Sequence, residues 1–167
     1  MKPSLLKNTI HLAPGEFVSG CGGDKQVITV LGSCISLVLW HPPSLFYAMC
    51  HFVCVSNNQG RAMIQTPDGR YGDQILPYML RLLQQRKLTV SDLQARLYGG
   101  AVSVQTSQLV PSFQVGRQNS AYALQFCQQH GITLCAQQVA SEFSLKLKLH
   151  TSSGEVDVTP LHNGGHI

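Results

Sequence analysis

Leu31-Gly32-Ser33-Cys34-Ile35-Ser36-Leu37-Val38-Leu39-Trp40, then His41-Pro42-Pro43-Ser44, then Leu45-Phe46-Tyr47-Ala48-Met49-Cys50-His51-Phe52, is the stretch on which the fold turns. Both apolar flanks read as strands and the proline-bearing tetrapeptide reads as the turn of a hairpin. With Trp40 set opposite Leu45, the numbers of facing residues add to 85, which puts Cys34 opposite His51. Directly opposed side chains share a face, with Cβ atoms about 4.5–5.5 Å apart. A thiol beside an imidazole is what a cysteine nucleophile needs, because the thiolate reacts and a neighbouring imidazolium lowers its pKa. Gly32-Ser33 is a small, bendable approach that leaves backbone N–H groups free to turn toward an oxyanion. Thr29, five residues upstream of Cys34, is placed to accept from the other imidazole nitrogen and orient the ring. The competing reading is plain: a cysteine and a histidine on neighbouring strands also serve as ordinary core and edge residues.

Outward from this hairpin, Phe17 to Val55 reads as several strands cut by Gly and Pro. Ser56 to Arg70 is polar and rich in turn residues, a surface loop. Asp73 to Lys87 carries Ile75, Leu76, Met79, Leu80, Leu82 and Leu83 at helical spacing, with Asp73 as N-cap and Pro77 early enough to be tolerated. Gln94 to Tyr98 is a strand leading into Gly99-Gly100, and Asn119 to His130 a helix stopped by Gly131. Ile132 to Val139 and Ser144 to His150 follow as strands. In the second, Leu145, Leu147 and Leu149 alternate with Lys146, Lys148 and His150, one buried face and one wet. Gly154 turns the chain into Glu155 to Val158 as a hairpin, and a frayed tail is expected from Pro160 to Ile167. The expected class is α+β, a layered α/β sandwich of mixed, largely antiparallel sheets with two main helices, cysteine-hydrolase-like. One domain is expected over residues 1–167, with its core at about 15–158.

Composition narrows the function. The chain has 167 residues, 44% hydrophobic and only 12% charged, which argues against intrinsic disorder. Its formal charge of +4 is spread along the chain with no basic run, so nucleic acid is a poor first guess. Leu5-Leu6 is followed at once by Lys7 and Asn8, which leaves no secretory apolar core. The apolar-biased run from Val27 to Trp40 is shorter than the about 20 residues a membrane helix needs. Six cysteines in that setting point to reduced thiols and a cytoplasmic location.

The remaining motifs have bland readings beside them. Cys50 and Cys54 around His51 resemble half a metal site, but no second ligand cluster follows, so neither metal nor cofactor is expected. Cys21 reads as a loop thiol, and Cys127 and Cys135 as core. Gly99-Gly100 lacks the following Lys-Ser/Thr of a phosphate loop and reads as a tight turn. Tyr71, Gly72 and Asp73 read as a helix-capping turn or a substrate contact. Arg117 and Asn119 either hydrogen-bond a loop near the site or begin a helix, and His41 is expected to be exposed at the hairpin tip.

Leu-Gly-Ser-Cys-Ile-Ser at 31–36 and Ala-Met-Cys-His at 48–51 resemble the CheD family of chemoreceptor glutamine deamidases. Tyr71-Gly72-Asp73, Tyr98-Gly99-Gly100-Ala101 and Val115-Gly116-Arg117-Gln118-Asn119 match that family's later motifs in order, and the resemblance runs from Gly15 to Val158. It implies Cys34 as nucleophile, His51 as general base and Thr29 as the third member of the triad. Gly32, Ser33, Tyr71, Asp73, Gly99, Gly100, Arg117 and Asn119 are the implied substrate-binding positions. It also implies methyl-accepting chemoreceptors as substrate, glutamine hydrolysed to glutamate through a thioester (a protein-glutamine glutaminase reaction), and glutamyl methyl ester cleavage as a possible second reaction. A CheC-type phosphatase is an implied partner; nucleic acid and membrane insertion are not. The chain departs from the family at Gln138 to Ser144, where a Gly-Gly segment with a Gly-Arg pair is usual. That departure keeps a second reading open, a regulatory module that binds receptors or a CheC-type phosphatase with little catalysis. A cysteine hydrolase of another substrate class, such as a toxin-like deamidase or a peptidase, is a third.

Overall fold

The computed structural model describes residues 8–58, 66–102 and 114–162. Part of the expected 56–70 loop and the tail beyond His162 lie outside the described residues. In chain order the elements are β1 (Thr9–His11), β2 (Phe17–Cys21), β3 (Gln26–Leu31), β4 (Ile35–His41), β5 (Phe46–Cys50), α1 (Gly72–Gln85), a short 3-10 turn at Val90–Asp92, β6 (Gln94–Gly99), α2 (Val115–Gln129), β7 (Leu134–Val139), β8 (Ser144–His150) and β9 (Val156–Leu161). They build two sheets, β1-β3-β8-β9 and β2-β5-β4-β6-β7. Among the described strands, only β1–β3 and β6–β7 pair in parallel. The class is the α+β sandwich expected from the sequence.

Side-chain alternation explains the layering. Along β4 every residue is buried, because both faces of this central strand are covered. Ile35, Leu37 and Leu39 pack with Phe46, Ala48 and Phe52 against Ile75, Leu76, Met79 and Leu83 of α1 and Ala123 and Phe126 of α2. Val38 and Trp40 face the other way, with Tyr47 and Met49, onto Val27, Leu31, Leu145, Leu147 and Leu149 of the four-stranded sheet. Strands covered on both faces read as continuous apolar runs, which is why 35–40 lacks alternation. β8, wet on its outer face, keeps it. No helix among the described residues is long and apolar enough to cross a membrane.

Several boundaries differ from the sequence reading. α2 starts at Val115, so Arg117 and Asn119 lie inside the helix. The N-cap of α1 is Tyr71, and Asp73 sits in the first turn. β7 starts at Leu134, not Ile132. β9 runs on through Pro160 and Leu161, where the tail was expected, and pairs with β8. β1, unremarked in the sequence, joins the sheet edge beside β3.

The hairpin also has a different register. Trp40 faces Tyr47 and Val38 faces Met49, so facing numbers add to 87 instead of 85. His41 belongs to β4 and is only 7% exposed, held by Ser44 Oγ at 2.6 Å from its Nδ1. The turn is therefore Pro42-Pro43-Ser44-Leu45, with Leu45 at φ 56. Two residues of slip leave every side chain on its original face, since the strand period is two.

Candidate active site

His51 follows β5 directly, and its backbone is tied to the chain before β2. Gly15 N–H donates to His51 O at 2.8 Å, and His51 N–H donates to Glu16 O at 3.2 Å. The ring points with Met49 and Tyr47 into the space between the sheets, where it meets Thr29 of β3. Thr29 Oγ1 lies 2.7 Å from His51 Nδ1 and 2.6 Å from Leu12 O. A carbonyl only accepts, so the single hydroxyl proton of Thr29 goes to Leu12. The contact with the ring must then be Nδ1–H donating to Thr29. That fixes the neutral tautomer and leaves the lone pair on Nε2, which has no hydrogen-bond partner among the described residues.

Cys34 sits between β3 and β4, partly buried against the inter-sheet core. In the observed register it does not face His51: Ile35 and Phe52 exchange both backbone hydrogen bonds, at 3.0 and 2.9 Å, so His51 faces Ser36. Cys34 and Ser36 are two apart and share a face, so the thiol and the imidazole still lie on the same side of the sheet. No hydrogen bond joins them in this resting arrangement; catalytic contacts of this kind commonly tighten only with substrate bound.

Four neighbours hold the cysteine backbone. Ala101 N–H donates to Gly32 O and Gly100 N–H to Cys34 O, each at 2.8 Å. Gly99, at φ +113, comes so close that a Cβ there would lie 2.1 Å from Cys34 O. Asn119, 1% exposed, donates through Nδ2 to Ser33 O at 2.9 Å and to Val53 O at 2.8 Å. It thereby clamps the residue before the cysteine to the segment just past the histidine. The Ser33 and Cys34 N–H groups make no backbone hydrogen bond among the described residues.

Electrostatics leave the resting pair neutral. Burial pushes the Cys34 thiol up, helped by Cys54 and opposed by its own backbone N–H. Burial pushes His51 down, opposed by the Leu12 carbonyl and the Glu16 charge. Desolvation disfavours both charged forms, the thiolate and the imidazolium. What the arrangement offers is an oriented neutral base on the thiol's side of the sheet.

Other candidate positions are spread around this centre. Tyr71 and Asp73 lie where α1 begins: Cys54 bridges to Tyr71, Asp73 N–H donates to Val55 O at 2.9 Å, and Asp73 Oδ1 is buried without a partner among the described residues. Arg117 is exposed on the first turn of α2. The 138–144 segment lies beside the Cys34 loop, with Ala140 N–H on Gly99 O at 3.1 Å and Val102 N–H on Ser141 O at 2.9 Å. Cys50 and Cys127 are buried, but Cys135, expected in the core, is exposed because β7 is an edge strand. Leu12, Val53 and Ser36 went unnoticed in the sequence. Only Ser36 carried a signal, a hydroxyl two residues from Cys34 inside an apolar strand.

A two-sheet α+β sandwich with a hydroxyl-held imidazole on the same side as a half-buried thiol has the parts of a cysteine-dependent hydrolase. Comparison with known proteins narrows this class. Residues 55–160 match the family model described as CheD chemotactic sensory transduction. The chain is 32% identical over 147 residues to a protein of Albidiferax ferrireducens named probable chemoreceptor glutamine deamidase CheD 2, covering 88% of this chain and 84% of that one. It is 33% identical over 143 residues to the probable chemoreceptor glutamine deamidase CheD of Pseudomonas fluorescens, covering 84% and 78%. Against the probable chemoreceptor glutamine deamidase CheD 1 of Chromobacterium violaceum it is 30% identical over 147 residues, covering 88% and 75%. The chain belongs to the CheD family.

Proposed function

We propose that this protein is a cytoplasmic glutamine deamidase of methyl-accepting chemoreceptors, with Cys34 as nucleophile, His51 as general base and Thr29 as the group that orients His51. Support comes from the relatives' names and, above all, from one contact: Thr29 Oγ1 at 2.7 Å from His51 Nδ1, which leaves Nε2 as the basic nitrogen.

The reaction starts from the neutral pair. As the substrate carboxamide enters, His51 Nε2 takes the Cys34 proton and sulfur attacks the amide carbon. The Ser33 and Cys34 N–H groups hold the oxyanion. His51 returns its proton to the leaving nitrogen, ammonia departs, and a thioester remains. Water, deprotonated by His51, hydrolyses the thioester to glutamate and frees the thiol. Gly32, Gly99, Gly100 and Asn119 serve the site by holding the cysteine backbone, while Tyr71, Asp73 and Arg117 are proposed contacts for the receptor chain. The 141–144 segment carries Phe143, 40% exposed beside the cysteine loop, a surface suited to a protein partner such as a CheC-type phosphatase.

Incubating the protein with a chemoreceptor cytoplasmic fragment should release ammonia and leave the fragment about one dalton heavier per converted glutamine, the mass change of amide hydrolysis. Cys34→Ala and His51→Ala should abolish both signals while the circular dichroism spectrum stays native. Full ammonia release from Cys34→Ala refutes the assignment. Tight receptor binding by the wild type without any mass change would support the regulatory reading.

A further inference from the structure

Ser36 is fully buried in β4, and its Oγ has no hydrogen-bond partner among the described residues. A buried hydroxyl left unpaired is unfavourable, and alanine would fill this position without that cost. Its surroundings give it a use. By strand alternation Ser36 points with Cys34 and Val38 into the space between the sheets. On one side it faces Tyr98 of β6. On the other, the isolated Ile35–Phe52 bridge and the Val38–Met49 pair bracket it, so by register it comes opposite His51, with the ladder interrupted between them where Leu37 N–H goes to Cys50 Sγ. Next to the hydrogen-bonded Ile35–Phe52 pair, positions 36 and 51 are of the non-hydrogen-bonded kind, where side chains on one face are near neighbours.

Two buried polar atoms without partners therefore lie on facing residues. His51 Nε2 needs a donor, because the Thr29 contact has put the ring proton on Nδ1. Ser36 Oγ–H needs an acceptor. A single water satisfies both by donating to Nε2 and accepting from Ser36, and such waters typically make about three hydrogen bonds to polar groups like these. We propose that Ser36 is a positioning residue that holds the hydrolytic water against His51 for the second half of the reaction. This rests on the Cys34–His51 assignment made above.

The step balances. Water oxygen attacks the thioester carbon while one of its protons passes to Nε2. The C–S bond breaks, sulfur leaves with the electron pair, and it takes the proton from His51. A carboxylic acid and the Cys34 thiol result. The Ser36 hydroxyl gains and loses nothing; it aligns the water lone pair and lowers the cost of ordering it.

The test uses p-nitrophenyl acetate as acylating probe on the full chain, so that acylation and hydrolysis are read separately. The wild type should give a burst of p-nitrophenol that Cys34→Ala lacks, followed by a slower steady state. Ser36→Ala should keep the burst amplitude and rate, which also counts the folded sites, while its steady-state rate falls about tenfold, the scale of one well-aligned hydrogen bond. Hydroxylamine attacks the acetyl-enzyme without needing a held water, so it should clear wild type and Ser36→Ala at equal rates. A steady state unchanged in Ser36→Ala overturns the proposal, and so does an equal slowing of hydrolysis and hydroxylaminolysis. Absence of any Cys34-dependent burst in the wild type overturns the nucleophile assignment itself, and the water site with it.

Discussion

Replacing Thr29 by valine isolates the contact on which the mechanism depends. Valine matches threonine in volume, so no cavity forms at this site, which is 3% exposed, and only the hydroxyl is lost. Two buried groups lose their partner: Leu12 O, now 2.6 Å from Oγ1, and His51 Nδ1–H, now at 2.7 Å. Each orphaned buried group costs about 1–3 kcal/mol, so Thr29→Val should lose roughly 2–6 kcal/mol in urea unfolding. A domain in the middle of the ordinary stability range, about 5–15 kcal/mol, stays folded after that loss. The catalytic effect is separate. Without its acceptor the neutral ring is free to carry its proton on Nε2, where it can no longer take the Cys34 proton. About 1.4 kcal/mol of lost tautomer preference changes the ratio of the two ring tautomers tenfold, and the ring also loses the contact that aims Nε2. Ammonia release from a receptor fragment should thus fall several-fold in Thr29→Val, measured where unfolding is absent. Thr29→Ser, which keeps the hydroxyl, should retain most of the activity. Wild-type stability together with wild-type turnover in Thr29→Val would refute the orienting role.

Gly99→Ala would drive a Cβ to 2.1 Å from Cys34 O at φ +113; the unfolding free energy should drop by several kcal/mol, on the order of 3 or more, with slower alkylation of Cys34. Ala140 adopts φ 55 in the segment where glycines are usual in the family. Removing a left-handed strain of about 1–2 kcal/mol, less the added chain entropy of glycine, Ala140→Gly should stabilise the protein by up to about 1 kcal/mol, seen as a small rise in Tm. For His51, burial lowers the folded-state pKa, so the unfolded chain takes up its proton first. The stability of the buried neutral ring is fully present above about pH 6.5 and is lost as pH falls from there toward the folded-state pKa. Midpoints of urea unfolding should accordingly fall more steeply on acidification in the wild type than in His51→Gln.

Much of the fold was legible because neighbours in sequence carry the signal. Ser144 to His150 matches β8 end to end, since one face of that strand is wet and the alternation shows. The stripe from Ile75 to Leu83 located α1 for the same reason. The hairpin turn was harder. Four residues, ending in a leucine with positive φ, close it, and no glycine marked that position in the sequence. The register error that followed was harmless for the site only because it was an even number of residues. Asp73 was misread as a cap, since the pairing of Cys54 with Tyr71, a contact across an intervening loop, decides where the helix begins.

What the linear chain determined by itself is local: which segments are strands and helices, and that Cys34 and His51 share one side of a sheet, because side chains alternate with a period of two. What only tertiary structure decided is how that side is furnished. Thr29 reaches His51 because one sheet packs on the other, Asn119 ties Ser33 to Val53 because α2 lies over the second sheet's outer face, and Gly99 approaches Cys34 because β6 pairs beside β4. The charge state followed from the same packing. Burial between two sheets makes neutral thiol and neutral imidazole the favoured forms, and desolvation depends on the whole enclosing fold, which no spacing of residues along the chain expresses.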